Sequence, residues 1–312
     1  METKIFSEME IPEAATLLRE KAVAFPTETV YGLGAPIFSS SLIAEIFRVK
    51  GRPADNPLIA HVSSLEECSR LGRDLPKAFF SLAEAFSPGP LTLVVRKGQS
   101  VPEIAVAGLD TIAIRMPDHR IARELIEAVG EPLVAPSANL SGRPSSTTAE
   151  HVLRDFNGNI GGVIDGGACS IGLESTVLDL VSFSSPTILR PGHITKEEIE
   201  AVLGENVEEY HSGPKGSPGM RYRHYAPDVP VYVFSDEEAF EGFLQRRENS
   251  LILSSRPKHS AHLALDACTL YSHLRMADEG EYNAVVIFCE KSASLALQNR
   301  LEKVCHDESC CH

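Results

Sequence analysis

Short β-rich runs alternate with amphipathic segments from the N-terminal region to about residue 203, and that alternation restricts the fold more than any other feature. Strands separated by helices pack as a sheet with helices laid over its faces, which places this stretch in the α/β class. Val23-Ala24-Phe25 reads as a strand, and Ser40 to Val49 as a helix with Leu42, Ile43, Ile46 and Phe47 on one stripe. Leu58 to Val62 is strand-like, Pro76 to Ala85 helical, and Leu91 to Val95 a strand after the turn Ser87-Pro88-Gly89-Pro90. Thr111 to Arg115 is a further strand, followed by a helix from about His119 to Val129. Leu133-Val134-Ala135 is a buried strand entering the loop Pro136-Ser137-Ala138-Asn139. Thr147 with Glu150, and Thr195 with Glu198, have the spacing of helix capping boxes. Strands at Val163-Ile164, Thr176 to Leu180 and Thr187 to Leu189 complete this domain, expected over residues 8–203.

Residues 204–230 break the pattern. Gly213-Pro214-Lys215-Gly216-Ser217-Pro218-Gly219 holds no regular element and reads as a linker. Met220-Arg221-Tyr222-Arg223-His224-Tyr225-Ala226-Pro227 then packs two Arg, one His and two Tyr into one short run. A solvated connector and a lid that covers a ligand both fit, and the two tyrosines favour the lid. Beyond it, strands at Val231 to Phe234, Ser250 to Leu253 and Ala284 to Phe288, with helices at about Glu237 to Arg246 and Ser292 to Val304, form a smaller α/β unit over 231–312.

A chain of 312 residues supports a sizeable core in one large domain or two unequal ones. Its net charge of -14 argues against stable tRNA binding over the surface at large, though it leaves room for a local basic cleft. No apolar run is long enough to span a bilayer, and Met1-Glu2-Thr3-Lys4-Ile5 has no basic start to an export leader. A cytoplasmic protein with its seven cysteines reduced, and without membrane association, is expected. The tail Cys305-His306-Asp307-Glu308-Ser309-Cys310-Cys311-His312 lacks two well-spaced ligand pairs, so no structural metal site is assigned to it.

The loops carry the chemistry. Lys50-Gly51-Arg52-Pro53-Ala54-Asp55-Asn56-Pro57 ends a helix and precedes a strand. Gly51 permits close backbone approach and Pro53 stops the helix, so Lys50 and Arg52 can be aimed at one ligand from a cleft rim. An ammonium and a guanidinium together suit a polyphosphate or a carboxylate. They would also complement the dipole of a helix C-terminus, and the run alone does not choose. Pro26-Thr27-Glu28-Thr29-Val30-Tyr31-Gly32-Leu33-Gly34 follows the first strand with hydroxyls, one carboxylate and two glycines. Ser137 and Asn139, two apart after a buried strand, offer donors toward one cleft, and Arg190 ends another strand. The chain has no Walker-type phosphate loop, no Gly-x-Ser-x-Gly elbow, no His-Glu-x-x-His and no Rossmann glycine fingerprint after a strand.

Taken together, these pieces resemble the threonylcarbamoyladenylate synthase family, whose catalytic module is the YrdC-like domain. The resemblance rests on Phe25 to Gly34, Lys50-Gly51-Arg52-Pro53 with Asn56-Pro57-Leu58, Ala135 to Asn139 and Glu174-Ser175-Thr176-Val177. Leu189-Arg190-Pro191-Gly192 and Ser217-Pro218-Gly219-Met220 with Arg223-His224-Tyr225-Ala226-Pro227 add to it, in consistent order from about residue 10 to 230. The linker and the unit after it resemble the longer, two-domain branch, more weakly at Leu274 to Asp278 and Asn299-Arg300-Leu301.

The resemblance implies a twisted open mixed sheet flanked by helices, plus a smaller Rossmann-like C-terminal domain. It implies synthesis of threonylcarbamoyl-AMP and pyrophosphate from L-threonine, bicarbonate and ATP with Mg²⁺, for a downstream tRNA threonylcarbamoyl transferase complex. Lys50 and Arg52 are then the catalytic cations. Asn56, Thr111, Ser137, Asn139, Ser145, Arg190, His224 and Tyr225 join them as ATP contacts. Thr29, Tyr31, His61, Arg115, Ala135 (through its backbone) and Ser175 are implied around threonine, with Arg115 on the carboxylate. Two other readings stay open: a carbamoyl transferase that forms a carbamoyl-adenylate, and a non-catalytic RNA-binding module.

Overall fold

The computed structural model describes residues 2–210 and 225–306. Among them, eleven strands join in one mixed sheet. Across it they run Lys4–Phe6, Gly162–Ile164, Val23–Phe25, Gly32–Pro36, Leu133–Val134, Ile59–His61, Thr111–Arg115, Leu91–Arg96, Thr176–Asp179, Thr187–Arg190 and Glu208–Glu209. Mixed pairing is visible at Thr111–Arg115, which lies parallel to Ile59–His61 and antiparallel to Leu91–Arg96.

Alternation along each strand builds a core on each face of the sheet. Val23, Phe25, Leu133 and Ala135 pack with Leu18, Leu125 and Ile126, which come from the helices Ile11–Leu18 and Arg120–Val129. Ala24 and Val134, one residue out of phase, pack with Ile43, Ile46, Phe79 and Leu82 from the helices Ser40–Lys50 and Lys77–Phe86. Each fully buried Leu or Ile in these layers contributes about 1.5–3 kcal/mol relative to its exposed state.

Several local expectations change. Gly32–Pro36 is a strand, although Gly-Leu-Gly-Ala-Pro has little strand character. Its glycines pack closely: a Cβ on Gly34 would sit 2.8 Å from the Phe25 ring and force a shift, and one on Gly32 would crowd the Ala135 Cβ at 3.0 Å. The expected box at Thr147 shifts by one residue: Thr148 caps the helix Ala149–Phe156 and accepts from the His151 amide. The box of Thr195 with Glu198 forms as expected. Glu208–Glu209 lies in the stretch read as linker but pairs in parallel with Thr187–Arg190.

The chain divides into two compact units. One holds the described residues through Ser141 and from Ser146 to Tyr210; the other holds Gly142–Ser145 and the described residues from Tyr225 onward. The second unit has a four-stranded, all-parallel sheet in the order Val231–Phe234, Ala284–Phe288, Ser250–Ser254, Leu263–Ala264. Phe240 of the helix Glu237–Leu244 covers Phe234, Val286 and Phe288 on one face. Gly142–Ser145 is tied into this unit by Arg275, which donates to the Pro144 carbonyl at 2.6 Å, and by an Arg143–Asp228 ion pair at 3.0 Å. No helix among the described residues is long and apolar enough to cross a membrane.

Candidate active site

Strand register in the first unit assembles a buried polar cluster from separate parts of the sequence. Arg115 ends its strand in parallel register with His61. Its Nη1 donates to the Thr29 hydroxyl at 2.8 Å and its Nε to the Gly89 carbonyl at 3.2 Å. The Thr29 hydroxyl lies 2.9 Å from that of Thr27, which donates to the Val30 carbonyl at 2.7 Å. Because Thr27 spends its proton on Val30, Thr29 is the donor between the two. The chain therefore runs Arg115, Thr29, Thr27, Val30 in one direction.

Glu28 faces the same guanidinium. Its Oε1 lies 2.7 Å from Arg115 Nη2, and both side chains are nearly inaccessible. The approach is off the N–H direction, so Nη2 and both Glu28 oxygens are left without hydrogen-bond partners. Buried beside them, His61 has its pKa pushed down to about 3, first by burial and then by the Arg115 charge. It is held by the Ile59 carbonyl at 3.3 Å and by an edge contact with Phe25. Cys169 is also buried, and desolvation pushes its thiol up to about 12. Tyr31 turns its hydroxyl elsewhere: it donates to the Gly167 carbonyl at 2.8 Å and accepts from the Gly166 amide at 3.1 Å.

A second group gathers at the Lys50 loop. Lys50 is buried rather than on a rim, and its Nζ donates to the carbonyls of Ser137, at 2.5 Å, and Asn139. The cause is the close return of the 137–139 loop, which the Gly32 to Ser137 bridge and the Ala138 amide bond to Tyr31 hold in place. Arg52 is partly exposed and donates to the carbonyls of Asn56 at 3.4 Å and Pro57 at 3.2 Å. Thr111 opens the strand beside Ile59–His61, half-buried and paired with Arg96, while the Leu58 amide leaves that ladder for the Ala105 carbonyl. Ala135 donates its amide to the Ile59 carbonyl, which fixes this loop against the same strand.

A third group lies one strand further on. Arg190 Nη2 donates to the Ser175 hydroxyl at 3.1 Å, and that hydroxyl lies 2.7 Å from Thr92 Oγ1. Gly192 lets this segment close, since a Cβ there would sit 2.2 Å from the Thr176 amide nitrogen. Two of the sequence candidates fall outside these groups. Ser145 is fully buried but belongs to the second unit, as does Tyr225, whose ring stacks on Tyr271 at 5.4 Å with Arg300 over it. His224 lies outside the described residues. Sequence reading missed Glu28, Thr92 and the Gly89 carbonyl; a carboxylate between two threonines, next to an apolar strand, was the available signal for Glu28.

Residues 15–192 match the family described as telomere recombination, and residues 194–305 match the threonylcarbamoyl-AMP synthase C-terminal domain. The chain belongs to the threonylcarbamoyl-AMP synthase family. It is 40% identical to the Bacillus subtilis threonylcarbamoyl-AMP synthase over 94% of this chain and 92% of that protein. It is 51% identical to the Pyrococcus abyssi threonylcarbamoyl-AMP synthase over 72% of this chain and 68% of that one. The crystal structure of P. abyssi Sua5 complexed with L-threonine superposes with a TM-score of 0.89 at 41% identity, covering 96% of this chain and 97% of that one.

Proposed function

We propose that this chain joins L-threonine, bicarbonate and ATP into threonylcarbamoyl-AMP and pyrophosphate. The observation that carries the reading is its likeness, over nearly the whole chain, to a family member solved with L-threonine. Threonine's amine and bicarbonate condense to a carbamate with loss of water. A carbamate oxygen then attacks the α-phosphorus of ATP, and the bond from that phosphorus to the bridging oxygen breaks as pyrophosphate leaves. Charge develops on the departing group, so preorganised cations matter more than a strong base.

Arg115 is assigned to the threonine carboxylate, with Thr29, Ser175 and His61 around the amino acid. Neutral His61 lends a polar wall without adding a second cation beside Arg115. Arg52 and Arg190 are assigned to the phosphates. Lys50 has a double part, since the bonds that hold the Ser137–Asn139 loop also place its charge at that end of the sheet. Asn56, Thr111, Ser137, Asn139 and Ser145 complete the assigned ATP contacts, and His224 and Tyr225 the lid. No group of three or more His, Cys, Asp or Glu residues that could hold a metal occurs among the described residues. Mg²⁺ is taken to arrive on ATP as part of the substrate, sharing the triphosphate charge.

The match of residues 194–305 to the C-terminal domain named for this synthase favours it over the carbamoyl-transferase and RNA-binding readings. A cytoplasmic location and hand-over to a tRNA-modifying transferase complex follow from the same assignment. Incorporation of labelled bicarbonate into an adenylate that contains threonine tests it: label in that product supports the reading, and label confined to free bicarbonate overturns it.

A further inference from the structure

We propose that Glu28 is the receptor for the amino-acid substrate's ammonium group, an assignment that rests on the threonine reading above. Glu28 is 6% exposed and lies on Arg115 at 2.7 Å, yet neither of its oxygens is hydrogen-bonded. A carboxylate taken out of water this completely is costly to leave unsatisfied. The partially used guanidinium beside it has the same gap, at Nη2. The two gaps have opposite charge and are adjacent.

A zwitterion closes both at once. Its carboxylate can take the open Arg115 Nη2, and its ammonium can take the open Glu28 oxygens, so four charges are paired and the total stays neutral. A neutral total matters because an uncompensated charge in a buried site carries a large desolvation penalty. With Arg115 alone as receptor, the substrate's ammonium would enter with no counter-charge. The other nearby groups do not supply one. His61 is held neutral, Cys169 is held as a thiol by burial, and the Tyr31 hydroxyl is spent on Gly166 and Gly167. His119, whose buried Nδ1 also lacks a hydrogen bond, is itself a cation when it ionises and cannot pair with an ammonium. The main chain adds rigidity: the Glu28 carbonyl accepts from the Ile171 amide at 2.8 Å, which fixes the loop that carries the carboxylate.

Glu28 would thus set specificity at the amine, as Arg115 does at the carboxylate. The test is calorimetric titration of the full-length protein with L-threonine and with 3-hydroxybutanoate, which has the same skeleton without the amine. Wild type should prefer threonine by about 10²-fold or more, the scale on which a site built around a polar group rejects an analogue lacking it. Glu28→Gln should cut threonine affinity by about 10-fold or more while leaving 3-hydroxybutanoate within about 3-fold, because a charge-assisted contact is lost from one ligand alone. Glu28→Asp should restore part of the preference. Equal wild-type affinity for the two ligands would overturn the assignment without any variant, so it survives a Glu28→Gln protein that does not fold. So would a Glu28→Gln protein that weakens both ligands equally, since Glu28 would then act only by orienting Arg115. A wild-type protein with no threonine affinity would instead overturn the functional reading itself.

Discussion

Lys50 Nζ donates to the Ser137 carbonyl at 2.5 Å, joining the end of one helix to a loop that is 87 residues away in sequence. A second bond to the Asn139 carbonyl completes the tie. The cation assigned above to the departing pyrophosphate therefore also holds the 137–139 loop in shape.

This separates Lys50 from Arg52. Each change to Ala should lower turnover by roughly 10²–10³, the scale for removing one preorganised stabilising contact. Lys50→Ala should also lower stability by about 1–3 kcal/mol, because the buried Asn139 carbonyl and the half-buried Ser137 carbonyl lose their donor. Arg52 is partly exposed, and its replacement should shift melting little. Turnover assays with thermal melts on both variants check this; equal melting losses would contradict it.

Recognition of the threonine hydroxyl should not involve Tyr31, whose hydroxyl is bonded to the Gly166 amide and the Gly167 carbonyl and takes no part in the Arg115–Thr29 cluster. Tyr31→Phe should reduce stability by about 1–3 kcal/mol, since the Gly166 amide and Gly167 carbonyl lose their partner. The preference for threonine over 2-aminobutyrate should be kept. Thr29→Val breaks the bond from Arg115 and should erode that preference by about 10-fold or more. Competition kinetics with the two amino acids decide between these outcomes.

Much of the architecture was legible because it depends on local periodicity. Val23–Phe25, Thr111–Arg115, Val231–Phe234 and Ala284–Phe288 read directly, being β-rich runs between turns. Gly32–Pro36 did not, since its strand rests on pairing with Val23–Phe25 and Leu133–Val134 rather than on propensity. The same division holds at the site. Ser175 stood out through its motif and Arg115 through what the family resemblance implies, whereas burial of Lys50 and the Thr92 to Ser175 hydroxyl pair depend on neighbours 87 and 83 residues away. No local pattern carries that information.

Stability should respond to pH through His61. Its folded pKa, about 3, is below its ordinary value of 6.5, so the unfolded chain binds the extra proton between these limits. The contribution is full above about pH 6.5 and falls by about 1.4 kcal/mol per pH unit as the pH drops toward 3. Urea unfolding from pH 4.5 to 6.5 should show a shallower slope in His61→Gln than in wild type. Equal slopes would contradict the assignment of a neutral, buried His61.

Tyr225 stacks on Tyr271 in the second unit, with Arg300 over its ring. Tyr225→Ala should therefore destabilise that unit and also raise the ATP concentration needed for half-maximal rate. Tyr225→Phe keeps the ring and should retain stability. If Tyr225→Ala left ATP dependence unchanged, the residue would be a packing element and not part of a nucleotide lid.

The central claim is tested most directly by pyrophosphate release from MgATP in the presence of L-threonine and bicarbonate, with each of the three omitted in turn. The account predicts release only when all three are present, with alanine and valine failing to replace threonine. Release at an undiminished rate without threonine or without bicarbonate would contradict it.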